Sequence, residues 1–458
     1  MTQVTDAIAY AHQERGRFVS ELKDLLAIPS ISTLSAHKPD IQRAAEWLAA
    51  NMRGMGLEHV EILPTAGHPV VVADWLHAAG QPTMLIYGHY DVQPVDPLNE
   101  WHTDPFTPTE RGDNLYARGA SDMKGQVMGF LKAIESLLRT GGLPLNVEIM
   151  IEGEEEIGSP NLEPFMRQHA AKLKCDFSLN ADSGIISPTL PSIAYGLRGL
   201  AYFELWVHGP DHDLHSGVFG GSVHNPAQAL AELIAGMHDA NARVNLPGFY
   251  DKVRTLGDEE RGELARSPIT DAAWQAMTGA PQLYGEAGYT TVERTGARPT
   301  LEINGLLSGF TGEGSTTVLP AKAMAKISTR LIPDQDDKQV EAQLRAYLEA
   351  KAPPTIRWEL KSLTSGPAVI VSRDTPAMQA AIKALEDTFG VKPVMRLEGG
   401  SVPVVSMVQH GLGVDSILMG FGLPDDNLHA PNEKFHLPNY YHGIDAYIRY
   451  FDEVARLS

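Results

Sequence analysis

Between residues 5 and 180 the chain alternates helical periodicity with short apolar, β-branched runs, and several of those runs close on a histidine or a carboxylate. That alternation constrains the fold more than any other feature, because it predicts a doubly wound α/β sheet covered by helices on both faces. Apolar residues at helical spacing (Ile8, Phe18, Leu22, Leu25, Leu26) predict one helix over residues 5–26, stopped by Pro29. Further helices are expected over 40–55, ending near Gly56, and over 126–138. Strands are expected at 60–63, 70–75, 83–87, 146–151 and 175–180. In an open sheet of this class ligands bind at the carboxyl ends of strands.

Near Leu197 the pattern changes. Residues 201–207 form an aromatic and β-branched run, followed by a Gly/His-rich loop and a helical stretch at 226–237. Strands at 300–304 and 323–330, a helix at 338–350 and a strand at 355–361 complete a β-α-β-β-α-β order, the ferredoxin-like pattern. At 458 residues the chain is too long for one ordinary core. The expected organisation is therefore a domain of residues 1–196 and 365–458, closed by a helix over 439–457, into which residues 197–364 are inserted. Residues 241–299 carry no readable motif.

A formal net charge of -20 argues against nucleic acid as a partner, since phosphate binding rests on Lys and Arg. Cys175 is the only cysteine, which excludes an intramolecular disulfide or a thiolate metal cluster and fits a reducing compartment. Residues 1–17 are polar and lack the apolar core of a signal peptide. No stretch approaches ~18 consecutive apolar residues, so no membrane span is expected and a soluble cytoplasmic protein is.

Five motifs carry the chemistry: Gly88-His89-Tyr90-Asp91, Ser121-Asp122-Met123-Lys124, Glu154-Glu155-Glu156, Ala181-Asp182-Ser183 and His429-Ala430-Pro431. On an extended segment Asp91 points to the same side as His89 and can reach its imidazole, which is how a metal histidine is usually supported. By itself the motif also fits a surface turn after a strand. Asp122, in a Gly-flanked loop ahead of a helix, fits an N-cap as well as a carboxylate bridging two cations about 3.5–4 Å apart. Four carboxylates crowd residues 152–156 at the end of a buried strand, where like charges disfavour one another unless a cation or proton compensates. One Glu there can coordinate while its neighbour activates a water. Asp182 and His429 each follow a strand candidate and under the metal reading supply the remaining terminal ligands, although either alone is more often structural than metallic. Histidine and carboxylate donors without cysteine suit a pair of divalent metals better than a structural zinc knot.

Taken jointly, these motifs resemble the co-catalytic zinc peptidases that include aminoacylases, acetylornithine deacetylases, succinyl-diaminopimelate desuccinylases, carboxypeptidase G and carnosine-type dipeptidases. The resemblance runs from Tyr87 to Pro431. It implies a three-layer zinc-peptidase-like α/β catalytic domain with an inserted ferredoxin-like α+β lid and dimerisation domain. It further implies two divalent ions per subunit (Zn²⁺, with Mn²⁺ or Co²⁺ also compatible), one on His89 and Asp182, the other on Glu156 and His429, with Asp122 bridging. Glu155 is then the general base, Asp91 the partner of His89, and the Asp122–Met123 peptide cis. The segment Asp213-Leu-His-Ser-Gly-Val-Phe-Gly-Gly221 resembles the dipeptidase lid loop and gives His215 an oxyanion-stabilising role, carried in that branch by a partner subunit. Thr317, Arg330, Glu398 and Ser401 match substrate-binding positions. Arg330 suits a C-terminal carboxylate, although a surface ion pair explains it equally on sequence, and Ser401 can equally serve a tight Gly-Gly turn.

The expectation is hydrolysis of the peptide bond of dipeptides or very short peptides by a homodimer joined through the inserted domain. Three alternatives stand beside it: an N-acyl-amino-acid amidohydrolase, a carboxypeptidase acting on longer peptides, and a non-catalytic binding protein. The presence of every metal ligand and of the base argues against the last of these.

Overall fold

The computed structural model describes residues 2–400 and 403–457. It divides into two compact units, one of residues 1–195, 371–395 and 403–458, the other of residues 196–370 and 396–402.

In the first unit a mixed sheet runs in the order Glu58–Leu63, Val70–Trp75, Asn146–Glu152, Thr83–His89, Phe177–Asn180, Ser416–Leu418 and Ser192–Leu197. Its central strands, from Asn146–Glu152 through Thr83–His89 and Phe177–Asn180 to Ser416–Leu418, are parallel, so their carboxyl ends share one edge. The flanking pairings are antiparallel, so the sheet is mixed rather than wholly doubly wound. Consecutive rather than alternate residues of Thr83–His89 and Asn146–Glu152 are buried, because helices cover both faces. Helix Lys124–Thr140 packs with Leu437–Leu457 and Thr2–Gln13, while Pro403–Leu412 packs with Leu162–Gln168.

The N-terminal helix of the sequence reading is in fact two, Thr2–Gln13 and Arg15–Leu26, interrupted at Glu14. Just past the interruption, the Arg17 guanidinium reaches Glu14, Glu21 and Glu135 at 2.7, 2.6 and 2.7 Å.

The second unit has a four-stranded antiparallel sheet, Thr300–Ser308, Lys322–Leu331, Gly199–His208 and Arg357–Gly366 in spatial order, the arrangement that a ferredoxin-like chain order gives. Residues alternate in burial along Gly199–His208. Phe203, Leu205 and Val207 join Leu230, Leu233, Leu344 and Leu348 from the covering helices in one core. Residues 241–299, silent in sequence, hold three short helices. One, Thr291–Gly296, opens on a capping box of Thr290 and Glu293, and a buried fork of Arg298 on Glu286 (2.8 and 2.7 Å) fixes its exit. No helix among the described residues is long and apolar enough to cross a membrane.

Ile149 lies fully buried in the middle of Asn146–Glu152. Ile149→Ala removes three carbons from a packed interior and is expected to cost about 2–5 kcal/mol, read as a lowered urea midpoint at unchanged slope; a loss below about 0.5 kcal/mol would contradict this placement of the core.

Candidate metal centre

His89 ends its strand with its ring fully buried. Nδ1 lies 3.1 Å from the Asp91 carbonyl oxygen, so a neutral ring keeps its proton on Nδ1 and turns the Nε2 lone pair to the carboxylates. That Nε2 is buried without a hydrogen bond. It faces Asp122 Oδ1 at 3.2 Å and Asp182 Oδ2 at 4.0 Å. On the other side of Asp122, Oδ2 lies 2.9 Å from His429 Nε2, which is itself 3.2 Å from Glu156 Oε2. Two donor sets result, His89–Asp122–Asp182 and Asp122–Glu156–His429, in each of which the ligand atoms lie within 4.8 Å of one another. Asp122 belongs to both.

The donors fit a pair of divalent cations. A buried imidazole nitrogen facing carboxylates needs either a proton or a cation at its lone pair. The protons in the cluster tell the same story. Hydrogen bonds to Asp122 and then Glu156 hold His429 up at about 10. Burial works against charge on His89, yet Asp122 and Asp91 hold it well above the usual histidine range. Burial pushes the Glu155 carboxyl up to about 8, against the pull of His89 and with the help of Asp182, Glu156 and Asp122. Protons are being drawn in to balance negative charge, which is the work of a cation in such a site.

The local chain explains how the donors arrive. Residues 155–157 form a single 3-10 turn, so Glu155 and Glu156 leave the strand end in different directions. The Asp91 carboxylate holds that turn, accepting from the backbone N–H of Glu155 (3.2 Å) and of Glu156 (3.1 Å). Its distance to His89 Nδ1 is 3.4 Å, longer than that of its own carbonyl, so Asp91 acts on the Glu turn at least as directly as on the imidazole. Gln93 Nε2 donates to Glu156 Oε2 at 2.8 Å. The other two carboxylates of the run are structural. Glu152 accepts from Tyr87 and Ser159 (both 2.8 Å), and Glu154 from the His68 N–H (2.9 Å) and Asn161 (2.8 Å).

Asp122 does not come from an end of the main sheet. It sits in the loop ahead of Lys124–Thr140, and the Asp122–Met123 peptide is cis, as the resemblance implies. Gly125 is required there, since a Cβ would stand 2.1 Å from the Ala120 carbonyl oxygen. Sequence reasoning missed the anchor of this loop, Glu433. Fully buried, it accepts from Arg118 Nη1 (2.6 Å) and from the N–H groups of Gly119, Ser121 and Asp122 (2.9, 3.0 and 3.1 Å). Burial pushes its carboxyl up to about 7 even with Arg118 beside it. Asp426 adds a second tie, accepting from Ser121 Oγ and from Lys434 Nζ (2.7 and 2.9 Å).

The remaining expected residues lie in the second unit. His215 stands on the exposed loop strand Leu214–His215, which pairs with Val318–Leu319. Its Nδ1 accepts from the Gly217 N–H at 3.0 Å, so a neutral ring carries its proton on Nε2, which lies 3.4 Å from Thr317 Oγ1. Arg330 is half-buried, and burial lowers its pKa. Beside it is Arg198, also missed in sequence, pushed down to about 10 by burial and by the like charge of Arg330. Arg198 Nε donates to the Gly399 carbonyl at 3.1 Å. Glu398 pairs with Arg396. Ser401 lies outside the described residues.

Comparison with known proteins adds an independent line. The profile of Peptidase family M20/M25/M40 matches residues 85–453. The chain is 32% identical to the Cys-Gly metallodipeptidase dug1 of Schizosaccharomyces pombe, over 97% of each chain. It is 29% identical to the Beta-Ala-His dipeptidase of Homo sapiens, over 98% of this chain and 92% of that one. Among solved structures, an M20 family metallo-carboxypeptidase, Sso-CP2 from Sulfolobus solfataricus, superposes with a TM-score of 0.84 at 34% identity, covering 96% of this chain and 99% of that one.

Glu433→Gln keeps the shape of the clamp but replaces one of its two acceptor oxygens with an NH2 donor, so two of the four N–H groups it serves lose their acceptor. Metal affinity is expected to fall about 10–100-fold, measured by competition with a chelating indicator. Unchanged affinity would remove Glu433 from the support of Asp122.

Proposed function

This chain belongs to peptidase family M20/M25/M40, and we propose that it hydrolyses the peptide bond of dipeptides or very short peptides with the help of two divalent cations. The two donor sets joined at Asp122, with the Glu155 carboxyl beside them, carry this reading. The likeness to metallodipeptidases over nearly the whole chain supports it.

His89 and Asp182 would hold one cation and Glu156 and His429 the other, with Asp122 belonging to both donor sets. Zn²⁺ is the ion this donor set favours, with Mn²⁺ or Co²⁺ compatible. Cations so held supply Lewis acidity, polarising the scissile carbonyl and lowering the pKa of water towards neutrality. Glu155 takes one proton from the attacking water as its oxygen adds to the carbonyl carbon. The C–N bond then breaks, and Glu155 passes the proton to the departing amine, so the carboxylate is regenerated. His215 Nε2–H is a donor of the type an oxyanion requires. Arg330, with Arg198 adjacent, recognises the C-terminal carboxylate through a planar fork. Glu398, Thr317 and Ser401 complete the substrate-binding set.

The second unit serves as lid and dimerisation domain in this reading, and His215 acts on the substrate of the partner subunit. A carboxypeptidase acting on longer peptides is the second reading, favoured by the similarity to Sso-CP2.

Protein stripped of metal and reloaded separately with Zn²⁺ and Mn²⁺ would be offered dipeptides, tripeptides, longer peptides and N-acetyl amino acids. Release of amino acids from dipeptides alone is the expected result; stepwise trimming of longer peptides supports the second reading, and preferential deacylation refutes both. Glu155→Gln is expected to lower kcat by about 10²–10⁴ while leaving metal stoichiometry and KM near those of the unaltered protein. For the action in trans, mixing Glu155→Ala with His215→Ala subunits should restore activity through hybrid dimers that keep one intact site. Persistent inactivity of the mixture, with subunit exchange shown by mass, counts against it.

A further inference from the structure

A second group of metal-type donors stands in the first unit, away from the centre just described. Three carboxylates form a row across neighbouring strands: Glu58 is in register with Asp74, and Asp74 with Glu148. Directly opposed residues of antiparallel strands project from the same face, so the three share one side of the sheet. A bulge between Glu58 and Glu61 interrupts the edge strand, and His59 within it has φ 44°. Bulges re-aim side chains, and this one turns the His59 ring back onto the row. Its Nδ1 lies 2.8 and 3.0 Å from the two oxygens of Asp74. Ligand atoms of Glu58, His59 and Asp74 all lie within 4.8 Å of one another.

Glu148 carries the argument further. It is only 5% exposed, and its Oε2 is buried with no hydrogen-bond partner. Asp74 opposite it is equally 5% exposed. Two buried carboxylates side by side repel unless a cation or a proton lies between them. The nearest lysine, Lys172, is committed to Glu61 at 2.7 Å, and His77 to Glu58 at 2.9 Å.

We propose that Glu58, His59 and Asp74, backed by Glu148, form a separate structural site for a divalent transition-metal ion at the edge of the large sheet. One imidazole nitrogen and several carboxylate oxygens are donors for a Zn²⁺- or Mn²⁺-type ion. Bound there, the ion cross-links the edge strand Glu58–Leu63 to Val70–Trp75 and Asn146–Glu152. Glu148 stands four residues before Glu152, so the site is roughly 13 Å along the strand from the catalytic end.

The test counts metal by difference, so its result is independent of how many ions the catalytic centre takes. Chelator-treated protein is titrated with Zn²⁺, and bound metal is measured by mass spectrometry for the unaltered chain, His59→Ala and Glu148→Gln. The unaltered chain should bind one equivalent more than His59→Ala, and Glu148→Gln should bind that equivalent at least 10-fold more weakly. His89→Ala should lose metal from the catalytic centre while keeping this ion. Equal stoichiometry in the unaltered chain and His59→Ala overturns the proposal. Crystals soaked in Mn²⁺ give a second readout: an anomalous peak beside Asp74 supports the site, and its absence at full occupancy of the catalytic centre refutes it.

Discussion

One oxygen of Asp122 faces His89 and the other faces His429, so a single carboxylate joins residues that are separated by more than three hundred positions in the chain. Everything else in the centre depends on that carboxylate staying where it is. A side chain held only by its own rotamer would not do so in a loop. The loop is therefore fixed from below: Glu433 collects three consecutive-region N–H groups and a guanidinium, and Asp426 takes the Ser121 hydroxyl. The anchoring charges are themselves buried. Such a pair adds little net stability, but removing one partner leaves an uncompensated charge in the interior and is strongly destabilising. Geometry at the metal is thus tied to the folding of the first unit.

Charge explains why the Glu-rich turn has the form it does. Four acidic side chains within five residues would repel one another at the end of a buried strand. The chain separates them by direction: Glu152 and Glu154 turn to hydroxyl, amide and backbone donors, while Glu155 and Glu156 turn to the centre. Neutral donors satisfy the first pair locally. The second pair has His89, His429 and Gln93 for company, and its remaining negative charge is what makes the place attractive to cations. Asp91 keeps the two functions in phase, since the residue beside the His89 ring also fixes the turn that carries Glu155 and Glu156.

Much of this was legible in the sequence, and the physical reason is local. A histidine or carboxylate just past a β-branched run announces a strand end, and His89, the run Glu154–Glu156 and Asp182 stand out that way, while the separate roles of Glu155 and Glu156 came from the family resemblance. The ferredoxin-like order was legible for the same reason, because strand and helix periods differ within a few residues. The parts that were not legible are set by contacts between distant segments. Glu433 lies 311 residues from Asp122 and carries no motif of its own. Arg198 gains its significance only from the neighbouring strand that brings Arg330 beside it. The break at Glu14 divides a helix whose apolar spacing continues through it, and nothing in that spacing marks the place. Asp122 was legible as a loop residue ahead of a helix, but the Glu433 contacts that hold that loop were not.

The same rule, applied to one strand, separates two kinds of site. Glu148 and Glu152 lie on the same face of Asn146–Glu152, both are buried, and burial lifts both to about 7. Their partners differ. Glu152 receives hydrogen bonds from Tyr87 and Ser159, so neutral donors share its charge and it needs no cation of its own. Glu148 meets another carboxylate across the strand, and its Oε2 has no donor at all. His59 Nδ1 answers Asp74 at 2.8 and 3.0 Å but leaves Glu148 Oε2 without a donor. A divalent ion would answer both carboxylates with ligands that three adjacent strands already hold together. Carboxylate crowding alone therefore does not mark a metal site; what marks it is crowding that the neighbouring donors leave unanswered.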